Sequence, residues 1–287
     1  MSSAHEVSET SPGQWKSVPM DSEAIKPVTC EEILEENPWG YGKRLRFIGT
    51  EIKRAFPLRQ PGSTRVLDVG CGNGSLVAIP LARRGFDVTG TDLHEPSIQN
   101  AKKLAGAVPN ARFIVGSVSA LELPAFDVAI LSEVLEHVPD PKGLLLATLR
   151  CLKPDGIVVV TVPNGYGEFE IDSWIFRALR LRFVFDFVKR FLRPPLPSEI
   201  AKVATAATDN HDCGHVQFFT RSRLKRMFVE CSLEVAEESA GSFVCGPIIY
   251  HVIARWRRLI EWNVRVADRL PLALVSSWYF VLRRANR

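Results

Sequence analysis

Residues 65–74 read RVLDVGCGNG, a β-branched run that breaks into three glycines at alternate positions, Gly70, Gly72 and Gly74. A helical pattern, LVAIPLARRG, follows at once. A strand, a glycine turn and a helix in that order let a ligand approach the backbone and the helix N-terminus closely. Outward from this stretch the same alternation repeats. DVTGTD is followed by a helix from about Pro96 to Ala105, then come ARFIVG and FDVAIL, a helix from about Pro141 to Leu152, and GIVVVTV. Short strands separated by crossover helices predict an α/β fold, a doubly wound and mostly parallel Rossmann-like sheet with helices on both faces. Several of the runs are apolar at successive positions, as strands covered on both faces must be.

After Val162 the rhythm breaks into an insertion over 163–210, PNGYGEFEIDSWIFRALRLRFVFDFVKRFLRPPLP and beyond, rich in aromatics and arginine and closed by prolines. HVQFFT, a helix through SRLKRMFVEC and the strand-like SLEVAEES resume the alternation. Next comes a helical elaboration over 246–270. Its apolar stripe is Ile249, Val252, Ile253, Trp256, Leu259, Ile260, Val264 and Ala267, with Arg255, Arg258, Glu261, Arg265 and Asp268 between them. SSWYFVLRR reads as a last strand. The expected organisation is a disordered tail over 1–30 and one domain over 31–287.

The chain of 287 residues is 46% hydrophobic and 24% charged, which suits one soluble elaborated domain. Its formal charge of +4 is too small to argue for nucleic acid. Six cysteines without a CxxC pair give neither a disulfide framework nor a zinc motif, so a reducing cytosol is expected. The N-terminus lacks the basic and apolar regions of a signal peptide, and no apolar stretch reaches the length of a membrane-spanning helix. Contact with a membrane would therefore be peripheral.

A glycine turn alone also serves dinucleotide dehydrogenases, whose spacing is GxGxxG. Here the spacing is GxGxG, preceded by Asp68, and the acidic partner is Asp92 at the end of VTGTD. DVGCGNG, TDLHEPSI and LKPDGIVVVTVPN together resemble the class I S-adenosylmethionine-dependent methyltransferases. Within them the chain looks most like the ubiquinone-biosynthesis O-methyltransferases and their methyltransferase type 11 relatives. The resemblance implies a seven-stranded sheet and the cofactor S-adenosylmethionine. It passes Gly70 and Gly72 under the methionine part, with Asp68 at the same strand end. It sets Asp92 on the ribose hydroxyls and Leu93 on the adenine. Ser117 stands where the family has an acidic residue for the adenine amine, and Val118 beside it is a further cofactor-binding candidate. NPWGYGKRLRF resembles the segment whose arginine reaches the cofactor carboxylate, which is Arg44 here.

SEVLEHVPDP, residues 132–141, follows FDVAIL and so lies at the carboxyl end of the fourth strand, where Pro139 limits it to one helical turn. Glu133, Glu136 and His137 at i, i+3 and i+4 suit a metal site, a cofactor loop or a loop-tying carboxylate. By the resemblance Ser132 touches the cofactor, while Glu133, Glu136 and His137 are candidate ligands for magnesium or another divalent cation. Against this, magnesium prefers oxygen donors and imidazole suits later metals.

The 163–210 insertion interleaves Trp174, Phe176, Phe183, Phe185, Phe187 and Phe191 with Arg177, Arg180, Arg182, Lys189, Arg190 and Arg193. It is either a lid over the substrate or a membrane-facing segment. HDCGHVQFFT adds His211 and His215, and His137 and His215 are the candidate catalytic bases. The expected activity is O-methylation of a hydrophobic or amphipathic small molecule, such as a polyprenyl phenol. The alternatives are a sugar, glycolipid or secondary metabolite as acceptor, or a cofactor-fold binding module. A homodimer is the expected assembly alternative to the monomer.

Overall fold

Each apolar run of the first half becomes a strand of a single sheet in the computed structural model, which describes residues 36–123, 125–167, 172, 174–176, 178–179 and 215–285. The strands are β1 Arg65–Val69, β2 Asp87–Asp92, β3 Ala111–Val115, β4 Phe126–Ser132, β5 Leu152–Pro163, β6 Leu233–Ala240 and β7 Ser277–Arg284. Their order is β3–β2–β1–β4–β5–β7–β6. β7 runs antiparallel to both neighbours, and the pairs from β3 across to β5 are parallel. The expected doubly wound, mostly parallel sheet is therefore present. The 1–30 tail, most of the 163–210 insertion and His211 lie outside the described residues.

The helices are α1 Tyr41–Ala55, α2 Ala78–Arg83, α3 Glu95–Ala105, α4 Pro141–Arg150, α5 Arg221–Glu230, α6 Pro247–Ile253 and α7 Arg257–Ala267. Successive residues of β4 and β5 point to opposite faces, which is why the sequence needs unbroken apolar runs there. Val128, Ile130, Ile157 and Val159 join Leu45, Ile48 and Ile52 of α1, Leu81 of α2 and Ile98 of α3 on one face. Ala129, Leu131, Val158 and Val160 join Leu145 and Leu149 of α4 and Leu224 and Phe228 of α5 on the other. Burying each large side chain of this kind contributes about 1.5–3 kcal/mol.

The amino ends of the central strands are pinned by one carboxylate. Asp127, fully buried, accepts from Lys153 Nζ at 2.7 Å, from Arg65 N at 2.9 Å and from the Arg59 guanidinium. Burial alone would raise its pKa, but hydrogen bonds from Lys153, Arg65 and Arg59 hold it below the usual value. Its stabilising contribution is thus present above the unfolded pKa and is lost as pH falls through the lower folded value. Asp127→Ala is expected to cost about 2 kcal/mol, because both cations keep partial access to water. Urea unfolding at neutral pH checks this, and the gap between the two proteins should narrow in acid.

Two expectations are corrected. The stripe over 246–270 is not one helix: Trp256 adopts extended angles (φ −131°, ψ 109°) and separates α6 from α7. The break resets the helical face, so Ile253, Ile260, Val264 and Ala267 are buried while Trp256 and Leu259 are exposed. Arg255, expected on the polar face, is buried. HVQFFT takes no regular secondary structure and belongs to no strand of the sheet. The N–H groups of Val216 and Gln217 go instead to the carbonyl of Glu136, at 2.9 and 3.0 Å.

Candidate functional site

Strand order reverses between β1 and β4, and the carboxyl ends of those strands open a crevice, the place where doubly wound sheets bind ligands. It is a cavity of about 570 Å³, within the range of small-molecule sites. Arg44, Asp68, Gly70, Gly72, Asp92, Leu93, Ser117, Val118, Ser132, Glu133, Glu136, His137 and His215 all line it.

The glycine turn forms because the chain must reverse beside β4. Gly70 has φ +69°, and a Cβ there would stand 2.7 Å from Val134 Cγ2. Neither that angle nor that approach suits another residue. Gly70 N and Cys71 N donate to Thr91 O at 2.7 and 3.0 Å, and Gly72 N donates to Asp92 Oδ2 at 2.8 Å. Asp92 Oδ1 accepts from His94 N, also at 2.8 Å. Asp92 therefore anchors the turn and the start of α3 together, and each carboxylate oxygen retains a further lone pair. Leu93 stands exposed at the rim. Ser117 Oγ lies 2.7 Å from Ser119 Oγ, and Val118 is buried.

Asp68 stands one residue before the end of β1, almost fully buried, with a backbone hydrogen bond from Ala78. Burial, reinforced by the Asp92 charge, pushes its pKa up to about 8 against that hydrogen bond.

On the opposite wall, α1 carries Arg44 into the cavity. Asn37 caps the entry to this helix, its Oδ1 accepting from Trp39 N at 3.0 Å and Tyr41 N at 3.2 Å. Arg44 Nη2 lies 3.4 Å from Glu133 Oε1, Nη1 reaches Ser132 Oγ at 3.5 Å, and the guanidinium sits 5.2 Å from the centroid of the Tyr41 ring. Burial opposes its charge, but Glu133, Tyr279 and Tyr41 outweigh that and raise its pKa. Burial likewise pushes Tyr279 up to about 12. Thr161 Oγ1 donates to Glu133 Oε1 at 3.0 Å, and Thr161 O accepts from Glu133 N at 2.9 Å. Glu133 is held in a left-handed conformation, φ +55°, a strain of roughly 1 kcal/mol of the kind found at functional sites.

The 3-10 turn Leu135–His137 ends at Val138, extended as Pro139 requires. Glu136 is 1% exposed. Burial and the neighbouring Glu133 charge raise its pKa. His137 and His215 meet edge to face with ring centroids 5.0 Å apart. The candidate metal set of Glu133, Glu136 and His137 is not what converges. Glu133 is turned to Arg44 and Thr161, whereas ligand atoms of Glu136, His137 and His215 lie within 4.8 Å of one another.

Tyr41, Thr161 and Tyr279 are functional-site neighbours that sequence reasoning missed. Thr161 had a signal, a hydroxyl inside the otherwise apolar run GIVVVTV; Tyr279 had none that separates it from an ordinary strand tyrosine.

A glycine turn under a cavity, an acidic β2 terminus and the 3214576 strand order with β7 antiparallel define a class I methyltransferase fold. A methyltransferase domain profile matches residues 41–238, and the chain belongs to the S-adenosylmethionine-dependent methyltransferase family. It is 36% identical over 154 residues to a ubiquinone biosynthesis O-methyltransferase of Idiomarina loihiensis, covering 50% of this chain and 60% of that protein. The chain thus spans about three fifths of that relative's length. A namesake from Neisseria meningitidis is 33% identical over 190 residues, 64% of this chain and 77% of that one. Among solved structures, a [4+2]-cyclase aligns with a TM-score of 0.53 at 15% identity over 88% of this chain and 89% of that one. Magnesium protoporphyrin IX methyltransferase from Synechocystis with bound S-adenosylhomocysteine aligns with a TM-score of 0.50 at 12% identity, over 84% and 83%. These two likenesses concern the fold alone. S-adenosylmethionine is the cofactor of the family, and the dinucleotide alternative falls away.

Proposed function

We propose that the chain transfers the methyl group of S-adenosylmethionine to a hydroxyl oxygen of a hydrophobic or amphipathic small molecule. The observation that carries this is the joining, in one cavity, of the glycine turn with Asp92 at one side and the cluster of Glu136, His137 and His215 at the other. In this reading Asp92 accepts from the ribose hydroxyls, Leu93 and Val118 flank the adenine, and Ser117 supplies a hydroxyl near its amine. Arg44 and Ser132 meet the cofactor carboxylate, and Asp68 meets its ammonium. The acceptor oxygen attacks the methyl carbon in line, the carbon–sulfur bond breaks, and its electron pair stays on sulfur. Alignment supplies much of the acceleration. The cluster of Glu136, His137 and His215 is the group placed to ease loss of the hydroxyl proton.

The Asp68 assignment has a measurable consequence. With its pKa at about 8 before it meets an ammonium, Asp68 is protonated at neutral pH, and the ammonium ionises it. Cofactor binding should then release close to one proton at pH 7, and affinity should rise with pH until about 8 and level off there. Calorimetry in buffers of different ionisation enthalpy reads the proton count directly. Asp68→Asn should abolish both the release and the slope.

The acceptor class is supported by the names of the relatives and by the exposed face of α7. Trp256, just before α7, and Trp262 on it are 49% and 51% exposed, beside Arg258 and the Arg257 and Arg265 that pair with Glu261. Tryptophan and arginine together fit an anionic membrane surface. No helix among the described residues is long and apolar enough to cross a membrane. Transfer from labelled cofactor to a polyprenyl catechol, a water-soluble catechol and a sugar nucleotide tests the reading. The polyprenyl acceptor should be preferred, and the preference should sharpen on anionic vesicles. Methylation of the sugar alone would replace the proposal with the glycolipid or sugar reading.

A further inference from the structure

Three side chains with metal-binding atoms converge in the wall of the cavity, and they are not the three adjacent in sequence. Glu136 and His137 come from the 3-10 turn after β4, and His215 comes from the irregular segment before α5. Their ligand atoms lie within 4.8 Å of one another, with His137 Nε2 at 3.8 Å from Glu136 Oε1. The approach is held by the backbone. Val216 N and Gln217 N both donate to Glu136 O, and Gln217 Nε2 reaches Pro139 O at 3.3 Å. The turn and the His215 segment are thereby fastened to each other on both sides of the cluster.

Glu136 supplies an independent observation. It is 1% exposed, and neither carboxylate oxygen accepts a hydrogen bond among the described residues. A buried carboxyl group left so costs several kcal/mol unless a ligand satisfies it. Arg44 does not take that place, since its guanidinium pairs with Glu133 at 3.4 Å. Glu133 itself is committed, its Oε1 also accepting from Thr161 Oγ1.

The donor chemistry then selects the ion. Two imidazoles and one carboxylate suit the divalent ions of the later first transition row, whereas magnesium prefers oxygen donors and keeps several waters. We propose that Glu136, His137 and His215 bind one divalent ion of the iron-to-zinc series, with Glu133 outside the ligand set. Around an ion bonded at about 2.1 Å, donor atoms stand roughly 3–3.4 Å apart, so closing the set takes side-chain rotations of about an ångström. When bound, such an ion supplies Lewis acidity to an oxygen ligand. The inference concerns ion binding by the chain and stands or falls separately from the identity of the methyl acceptor.

The test uses the full chain, stripped with chelator and dialysed against Zn2+ or Co2+. One ion per chain should be retained by elemental analysis, and the Co2+ form should show visible ligand-field bands. Glu136→Gln and His215→Ala should each weaken Zn2+ binding by about 100-fold or more, while Glu133→Gln should change it by less than about threefold. Matching thermal unfolding of the metal-free variants verifies that they fold, and His215→Gln, read by the Co2+ spectrum, stands in if His215→Ala does not. Retention of no ion, tighter binding of Mg2+ than of Zn2+, or loss of binding in Glu133→Gln with retention in His215→Ala would each overturn the proposal.

Discussion

Asp92→Ala is expected to weaken S-adenosylmethionine binding by about 100-fold, roughly 3 kcal/mol, while leaving the sheet folded. Two losses combine. The ribose hydroxyls lose a charged acceptor for both of their protons, and such charge-assisted bonds are the strong ones. The glycine turn also loses its tether, because Gly72 N and His94 N both donate to this carboxylate at 2.8 Å. Asp92→Asn separates the two effects, since an amide oxygen still accepts one hydrogen bond; it should fall between the wild type and the alanine variant. Isothermal titration of the cofactor, with thermal unfolding as the control for folding, reads both. Wild-type affinity in Asp92→Ala would remove Asp92 from the site.

Arg44→Met is expected to lower stability by about 3 kcal/mol, about 10 °C in Tm for a domain of this size, and to weaken cofactor binding as well. Arg44 is 6% exposed and is the cation nearest the Glu133 carboxylate, in a wall that also holds buried Glu136. Removing it leaves the partly buried Glu133 carboxylate without its counter-charge, and methionine matches most of its volume, so packing loss is small. Adding Glu133→Gln to Arg44→Met should recover part of the stability, because the uncompensated charge goes with it. A double-mutant cycle in urea gives this coupling directly. If the two losses simply add, the ion pair contributes nothing and Arg44 is held by Tyr41 and Tyr279 alone.

What was legible in the sequence follows from local physics. RVLDV, FDVAIL and GIVVVTV announced parallel strands because strands covered on both faces must be apolar without alternation. The glycine turn announced itself because Gly70 must take φ +69° against Val134. Pro139 fixed the length of the turn bearing Glu136 and His137. These features depend on neighbours in the chain.

The rest was set by contacts between distant segments. His215 joins His137 only because the carbonyl of Glu136 takes the N–H groups of Val216 and Gln217, and nothing in HVQFFT signals that partner. The same bonds explain why this run, strand-like in composition, does not enter the sheet. Glu133 and Glu136 look equivalent at i and i+3, yet the left-handed backbone at Glu133 swings its carboxylate toward Arg44 and Thr161. A helical spacing rule fails where the first residue is not helical. The apolar stripe from Ile249 to Ala267 is periodic in sequence, but extended Trp256 divides it, and Trp256 and Leu259 come out on the surface.

The central claim is that the cavity between β1 and β4 is an S-adenosylmethionine site shaped for methyl transfer. Calorimetric titration of the purified chain with S-adenosylmethionine, and separately with NADH, tests it most directly. The expected result is one S-adenosylmethionine per chain with a Kd in the micromolar range, about 1–100 μM, and no heat from NADH. Saturable NADH binding without binding of S-adenosylmethionine would contradict it.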